Sequence, residues 1–260
     1  MERITPVVKN LIIINVIFFL ATEIMLRTSG IDLNQMLALY YFENSHFHLW
    51  QYITYMFMHG YMFMHGGVMH ILFNMYALWA FGTPLEKIWG AQKFLFFYFS
   101  CGIGAALLHT GVNYYYFHQG LNALTAKGIP EEMIRSLFDK GQYLQVWKEV
   151  ITVSDFNNMA SSYIVSTVGA SGAIYGILVA FGFMFPDAAL MLIFFPVPIK
   201  AKYFIPILVG LDLFSGVTGV SLFGGNIAHF AHVGGALIGF VIMWYWRKGN
   251  SIDNNQFRYS

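Results

Sequence analysis

The sequence predicts an all-α membrane protein in which six transmembrane helices form a single bundle. Of its 260 residues, 57% are hydrophobic and only 10% are charged, and the mean hydropathy is +0.57. A soluble domain carries about 25% charged residues, so this deficit indicates a chain whose solvent is mostly lipid. The aromatic content of 18% agrees with this interpretation, because Trp and Tyr collect at membrane interfaces.

Six apolar segments are long enough to cross a membrane, which takes about 20 residues for a hydrocarbon core of about 30 Å. They cover about 10–27, 67–84, 92–117, 168–186, 202–219 and 228–246. The first is interpreted as a retained helix, because it is long for a signal core and no A-x-A-like site follows it. The segments predict one six-helix domain over residues 1–250 and a short cytoplasmic tail over residues 251–260.

The cationic residues beside these segments all fall on one side of the membrane if the segments alternate in direction. They are Arg3, Lys9, Lys87, Lys93, Lys200, Lys202, Arg247 and Lys248. On the opposite side, the loop 216–227 has no charged residue. The positive-inside rule therefore predicts that both termini are cytoplasmic.

Two extramembrane segments are predicted to face outward: a first loop, residues 28–66, and an inserted outer loop, residues 118–165. In the inserted loop, Pro130 followed by two glutamates predicts the start of a helix. Met133 and Leu137 would share one face of this helix, and Gly141 would end it. A small helical hairpin that caps the outer surface is the expected structure.

Polar side chains within the apolar segments are the candidates for function. His70 and Asn74 are four residues apart and lie on one helix face, while Ser171 and His232 belong to the fourth and sixth segments. A lone intramembrane His or Asn is often an interhelical hydrogen bond. The His70/Asn74 pair, Ser171 and His232 are predicted to lie at one membrane depth. Their convergence instead favours a functional cavity.

These residue types permit nucleophilic catalysis. A serine hydroxyl is a poor nucleophile until an imidazole takes its proton, so Ser171 would be the nucleophile and His232 the base, without an evident carboxylate to orient it. Tyr175, one turn after Ser171, would stack on the imidazole in place of an Asp. The Ser171 backbone N–H, His70 and Asn74 would donate to a developing oxyanion.

Paired glycines predict that the two helices carrying Ser171 and His232 pack closely. Gly172 and Gly176 are four residues apart, as are Gly235 and Gly239. Facing stripes of small residues let backbones approach each other, which a short Ser–His contact requires, although packing alone also explains the glycines.

Four motifs resemble those of the rhomboid family of intramembrane serine proteases, of the bacterial type with six transmembrane helices. They are Gly169-Ala170-Ser171-Gly172 with Tyr175, Ala231-His232-Val233-Gly234-Gly235 with Gly239, His65-Gly66-x3-His70-x3-Asn74-Met75, and Leu85-Glu86-x3-Gly90. The resemblance covers about residues 10–247 in the family's order and spacing.

The resemblance implies a rhomboid-like bundle with an outward-facing active-site cavity, in the bacterial inner (cytoplasmic) membrane. It implies Ser171 as nucleophile, His232 as general base, His70 and Asn74 as oxyanion residues, and Tyr175 packed on the imidazole. The expected partners are single-span membrane protein substrates and the lipid bilayer. No cofactor, metal or nucleic acid is expected, and the net charge of +1 leaves no basic surface for nucleic acid.

Three features depart from the family pattern. Gln51 follows Trp50 where the family often has Arg, which is expected to remove a contact that fixes the first loop. The hexapeptide 55–60 is repeated at once as 61–66, so His59 has the family spacing to Trp50 while His65 has the family spacing to the second span. The insertion 118–165 is also longer than the core fold needs.

Other functions remain open at this point. A non-catalytic rhomboid-like client binder usually lacks the Ser or the His. A transporter or proton relay is suggested by Glu23 and Asp212, but no inverted repeat accompanies them in the sequence. An aspartyl intramembrane protease needs two convergent Asp residues. Bis-His haem or metal binding would use His59, His65, His70, His229 and His232, but HExxH is absent and no carboxylate accompanies the cluster.

Overall fold

The computed structural model describes residues 3–61, 67–192, 195–220 and 228–248, and these residues are mainly helical. The α-helices are α1 Pro6–Ser29, α2 Leu33–Leu37, α3 Gln51–Thr54, α4 Gly67–Ala77, α5 Thr83–Trp89, α6 Ala91–Thr125, α7 Glu131–Asp139, α8 Trp147–Val150, α9 Val153–Ile164, α10 Ser171–Met184, α11 Ala201–Thr218 and α12 His229–Lys248. A 3₁₀ turn, Tyr55–Phe57, follows α3, and a π turn, Leu78–Gly82, joins α4 to α5.

Four of the described helices are long and apolar enough to cross a membrane: α1, α6, α11 and α12. The fourth predicted segment forms the shorter apolar helix α10, and the second is divided among α4, the π turn and α5. The chain therefore has several helices that could span a membrane, in the order of the predicted segments. The number of six spans and the side on which the termini lie stay predictions, and the tail 251–260 lies outside the described residues.

Helix α10 lies at the centre of the bundle and packs on α12, α6 and α11. The glycine stripes make the contact with α12 close. A Cβ atom on Gly235 would overlap the carbonyl oxygen of Gly172, and one on Gly239 would lie 2.7 Å from the Cα of Gly176. The predicted backbone approach between these two helices is therefore present in the structure.

Between the fourth and fifth predicted segments, the mainly helical chain also forms two short strands. Strand β1, Ala189–Leu192, pairs antiparallel with β2, Phe195–Lys200, with Ala189 opposite Lys200. Pro196 and Pro198 have no backbone N–H and disfavour a helix, yet they fit a strand that has a free edge. The break between the fourth and fifth segments is thus a short hairpin.

The inserted segment forms a cap that is larger than the predicted hairpin. Helix α6 continues to Thr125, and α7, α8 and α9 pack against its end around a second apolar core. The helix start after Pro130 is confirmed, but the buried face of α7 carries Ile134 and Phe138, whereas Met133 is 43% exposed. Both faces are apolar in sequence, so the helical spacing alone did not decide between them.

Ion pairs and hydrogen bonds join the cap to the first loop. Glu43 of the loop accepts from Arg135 on α7 at 2.6 Å and from His118 on α6 at 3.0 Å. Partial burial by itself would raise the pKa of the Glu43 carboxyl, but these hydrogen bonds and the Arg135 charge outweigh it and lower that pKa. Asn44 also donates to the carbonyl of Tyr163 on α9, at 2.8 Å.

The Leu85-Glu86 motif joins α5 to the start of α1. Glu86 is buried, and its two carboxylate oxygens accept from the backbone N–H groups of Val7 and Val8 at 3.0 and 2.9 Å. These groups belong to the first turn of α1, where backbone N–H groups lack intrahelical partners and favour a negative charge. Glu86 therefore fixes α1 to α5.

The closeness of α10 and α12 gives a first testable prediction. Gly235→Ala places a methyl group against the Gly172 carbonyl, so we expect it to destabilise the protein by about 1–3 kcal/mol, as overpacking does. The thermal unfolding midpoint in detergent would show the loss. Gly111→Ala is the matched control, because a Cβ atom there meets nothing within 4 Å; equal midpoints for the two variants would contradict the packing account.

Candidate active site

Ser171 occupies the first position of α10, where the chain turns sharply into the helix. Gly169, two residues earlier, has φ +125°, a conformation that L side chains rarely adopt. A Cβ atom at Gly169 would also lie 2.9 Å from the His70 ring. Glycine at this position therefore lets the backbone before Ser171 approach the imidazole on α4.

The hydroxyl of Ser171 meets the imidazole of His232, which projects from α12. The Oγ atom lies 2.8 Å from Nε2 of His232. Helices α10 and α12 bring these atoms together because Gly235 and Gly239 of α12 are in contact with the backbone of α10. The structure thus places a hydroxyl and a base in hydrogen-bonding contact.

Tyr175 holds the plane of the His232 ring. The two rings are stacked, with centroids 4.2 Å apart and an interplanar angle of 11°. Tyr175 lies one turn after Ser171 on α10, so the same helix presents the hydroxyl and the aromatic face. The stacking expected from the sequence is therefore present.

A carboxylate also contacts the imidazole, which corrects the expectation that none would orient it. Oδ1 of Asp212, on α11, lies 3.1 Å from Nδ1 of His232 and 2.6 Å from Nδ1 of His229. Tyr175 donates its hydroxyl to Oδ2 of the same carboxylate. Asp212 is far from the Ser and His motifs in sequence; its sequence signal was an acidic residue within an apolar span.

This contact defines which ring nitrogen of His232 carries the hydrogen. An ionised carboxylate only accepts hydrogen bonds, so His232 must donate Nδ1–H to Asp212. A neutral imidazole then has its lone pair on Nε2, facing the Ser171 hydroxyl. The tautomer that can accept the serine proton is the one that the carboxylate selects.

His70 and Asn74 lie on α4 beside this centre, as expected from their spacing. Asn74 is buried, and its Nδ2 atom meets no hydrogen-bond acceptor in the described part of the chain. A buried amide donor without a partner is unfavourable unless a ligand or water satisfies it. The N–H groups that open α10 also lack intrahelical acceptors.

The first loop is fixed by Gln51, contrary to the expectation that the absent Arg would leave a contact unmade. Gln51 is fully buried; its Nε2 donates to the His46 carbonyl at 2.8 Å, and its Oε1 accepts from the Tyr40 N–H at 3.2 Å. The neighbouring Trp50 donates to the Met36 carbonyl at 3.2 Å. A neutral amide thus organises this loop through backbone groups.

The loop in turn holds the segment that precedes Ser171. Leu39 and Thr167 form an isolated antiparallel bridge, with N–H to carbonyl distances of 2.9 and 2.8 Å. The Gly169 N–H donates to the Tyr55 carbonyl at 2.9 Å. Thr167 also meets Nε2 of His109 on α6 at 2.8 Å; no sequence motif pointed to His109.

The repeated hexapeptide is only partly described. His59, in its first copy, is buried, and its ring lies 5.1 Å from the His70 ring. His65 and Gly66 of the second copy lie outside the described residues. In the described ranges, no group of three or more His, Cys, Asp or Glu residues has the arrangement of a metal site.

Comparison with known proteins identifies relatives over most of the chain. A family model described as "Rhomboid domain" matches residues 46–249. The chain is 27% identical to "Rhomboid protein 1, mitochondrial" of Saccharomyces cerevisiae over 180 residues, which is 69% of this chain and 38% of the relative. The identity to "RHOMBOID-like protein 12, mitochondrial" of Arabidopsis thaliana is 29%, over 69% of this chain and 43% of the relative.

A bacterial relative is also found. "Rhomboid protease GluP" of Bacillus subtilis is 29% identical over 124 residues, or 48% of this chain and 24% of the relative. The matched part of this chain spans less than half the length of each of these three relatives.

The role of Gln51 gives a second prediction. Gln51→Ala leaves the Tyr40 N–H and the His46 carbonyl without their side-chain partner, so we expect a loss of about 1–3 kcal/mol, typical of buried groups left unpaired. The thermal midpoint in detergent would measure it. Gln142→Ala, at an exposed position, is the control; an unchanged midpoint for Gln51→Ala would contradict the structural role.

Proposed function

This chain belongs to the rhomboid family, and we propose that it is an intramembrane serine endopeptidase that cleaves the transmembrane segments of other membrane proteins. The observation that carries the proposal is the 2.8 Å contact between Ser171 Oγ and His232 Nε2. A hydroxyl bonded to an oriented base is the arrangement that nucleophilic acyl transfer requires.

The proposed reaction has two halves. Ser171 Oγ attacks the scissile carbonyl carbon while His232 Nε2 takes the hydroxyl proton, and the imidazolium then gives this proton to the leaving amine. An ester between Ser171 and the carbonyl side of the substrate remains. A water molecule, deprotonated by His232, attacks that ester, and the proton returns to Ser171 as the carboxylic acid leaves.

Charge on the carbonyl oxygen would be stabilised by fixed donors. The Ser171 N–H, the Asn74 amide and the His70 ring are the proposed donors to this oxyanion, and removing one donor of this kind typically costs about 3–4 kcal/mol of barrier. The Asn74 Nδ2 supports this role, because no acceptor within the described ranges uses this donor.

The substrate class follows from helix chemistry. In an intact transmembrane helix each carbonyl accepts an intrahelical hydrogen bond, so the scissile residue must leave the helix before Ser171 can attack. Segments with small or helix-destabilising residues would be favoured, since Gly costs about 1 kcal/mol relative to Ala. Single-span proteins are the proposed partners, within the lipid bilayer.

The proposed topology has six spans, both termini on the cytoplasmic side and a cavity open to the opposite side. Ser171 and His232 are partly exposed and not sealed in the bundle, which supports entry of the water that hydrolysis consumes. Two of the three relatives described above are named as mitochondrial. These names do not favour the bacterial inner membrane that the resemblance implied, so that location is not part of the proposal.

A non-catalytic client binder is the second candidate, since membership of the family alone does not require catalysis. The intact Ser171–His232 contact favours the enzyme. A fluorophosphonate probe separates the two, because it reacts only with an activated serine.

Removal of either reacting group gives the third prediction. Ser171→Ala removes the nucleophile and His232→Ala the base, so we expect each purified variant to lose cleavage of a reporter with a destabilised transmembrane helix by at least about 10³-fold. Product bands on a gel and fluorophosphonate labelling would measure it. Ser162→Ala, a buried serine of α9, is the control. Undiminished cleavage by either active-site variant would overturn the proposed function.

The duplicated hexapeptide gives the fourth prediction. Deleting 61–66 brings His59 to the family spacing from His70, and the His59 ring already lies beside His70. The deletion also removes the hydrogen bond that the Tyr61 hydroxyl donates to Asp32 at 2.5 Å. Asp32 is far from Ser171 in the sequence. We expect activity on the same reporter to remain within about threefold. A folded but inactive deletion variant would show that the second copy is needed.

A further inference from the structure

We propose that Asp212 is a positioning residue that fixes the tautomer and orientation of His232, so that Ser171 and His232 react with Asp212 as a third, orienting group. This inference rests on the proposed function. Three observations carry it: the contact of Asp212 with Nδ1 of His232, the burial of its carboxylate and the set of donors around it.

Asp212 and Ser171 contact the two different ring nitrogens of His232. Nδ1 of His232 is 3.1 Å from Asp212 Oδ1, and Nε2 is 2.8 Å from Ser171 Oγ. The three side chains come from α11, α12 and α10, so the alignment depends on the packing of three helices. In serine proteases of other folds an Asp at this place holds the imidazole in the productive tautomer and stabilises the imidazolium.

The carboxylate is held where it can act only through these neighbours. The Asp212 side chain is 6% exposed, and a buried carboxylate is unfavourable unless several donors satisfy it. His232 and His229 contact Oδ1, and the Tyr175 hydroxyl donates to Oδ2. Among the residues that the structure describes, the donors to Asp212 therefore belong to the site or lie one turn from it.

Tyr175 couples the carboxylate to the ring that it orients. Its aromatic face stacks on His232, while its hydroxyl donates to Asp212. One side chain thus fixes both the plane of the imidazole and the position of the carboxylate. Rotation of the His232 ring out of this plane about its Cβ–Cγ bond would weaken both the stacking and the Asp212 contact.

Four other titratable groups face this pair, one from each of four helices. They are His229 on α12, Tyr175 on α10, His70 on α4 and His109 on α6. Asp212 is the acid bonded to His232, and it is therefore the group that offsets the imidazolium charge when His232 takes the serine proton.

A purely structural role is the competing explanation, since a buried Asp bonded to two helices also holds the bundle together. Such a role predicts that an Asp212 variant has fewer folded molecules, each with the wild-type rate. A positioning role predicts the opposite: the same number of reactive sites, each of which reacts slowly.

The test is Asp212→Asn in the full chain, purified in detergent. The amide can donate to Nδ1 and so place the hydrogen of the imidazole on Nε2, which then cannot accept from Ser171. We expect kcat on the reporter to fall about 10²-fold with KM within about twofold. The rate constant of fluorophosphonate labelling should fall in parallel, while the final labelled fraction stays at the wild-type value.

Ser215→Ala is the matched control, because Ser215 is buried one turn later on α11. We expect it to retain wild-type kinetics. Asp212→Glu keeps an acceptor-only carboxylate and should regain activity relative to Asp212→Asn.

Wild-type kcat and labelling rate in Asp212→Asn would overturn the proposal, as would a lower labelled fraction with an unchanged rate constant. If Ser171→Ala stays active the proposed function fails; if it is inactive while Asp212→Asn is fully active, only the role of Asp212 fails.

Discussion

The structure depends on the backbone contact between α10 and α12. Gly235 and Gly239 lie so close to Gly172 and Gly176 that a methyl group on either glycine of α12 would fall on backbone atoms of α10. No larger side chain permits this separation, and the reach of a serine hydroxyl requires it. The 2.8 Å contact of Ser171 with His232 is therefore a consequence of glycine packing.

Backbone hydrogen bonds complete the positioning from the other side. The buried Gln51 amide organises the first loop, and the loop forms the Leu39–Thr167 bridge just before α10. The Gly169 N–H then bonds to the Tyr55 carbonyl. Ser171 thus follows a segment whose backbone groups are already paired, which limits the conformations open to the start of α10.

The sequence was informative where one short motif carries both packing and chemistry. Ser171 with its glycines and Tyr175, and His232 with Gly235 and Gly239, could be read directly, because helical spacing defines which side chains share a face. The order of the apolar segments was also predictable, since a membrane span needs a long apolar run.

The parts that were missed depend on contacts between distant segments. Asp212 stands alone in an apolar helix, and only the packing of α11 brings it to His232. The role of Gln51 in fixing the first loop could not be predicted, because its partners are backbone carbonyls and N–H groups, which carry no sequence signal. The buried face of α7 could not be chosen from the sequence because Met133 and Ile134 are both apolar, so a rotation of one residue leaves the pattern intact.

The central claim is that the Ser171 hydroxyl is activated by His232, and locating a covalent adduct tests it most directly. The protein would be treated with a fluorophosphonate, digested and analysed by peptide mass spectrometry. We predict one adduct, on the peptide carrying Ser171, formed at a rate that falls sharply in His232→Ala. An adduct on another residue, or an unchanged rate of Ser171 modification without the imidazole, would contradict the account.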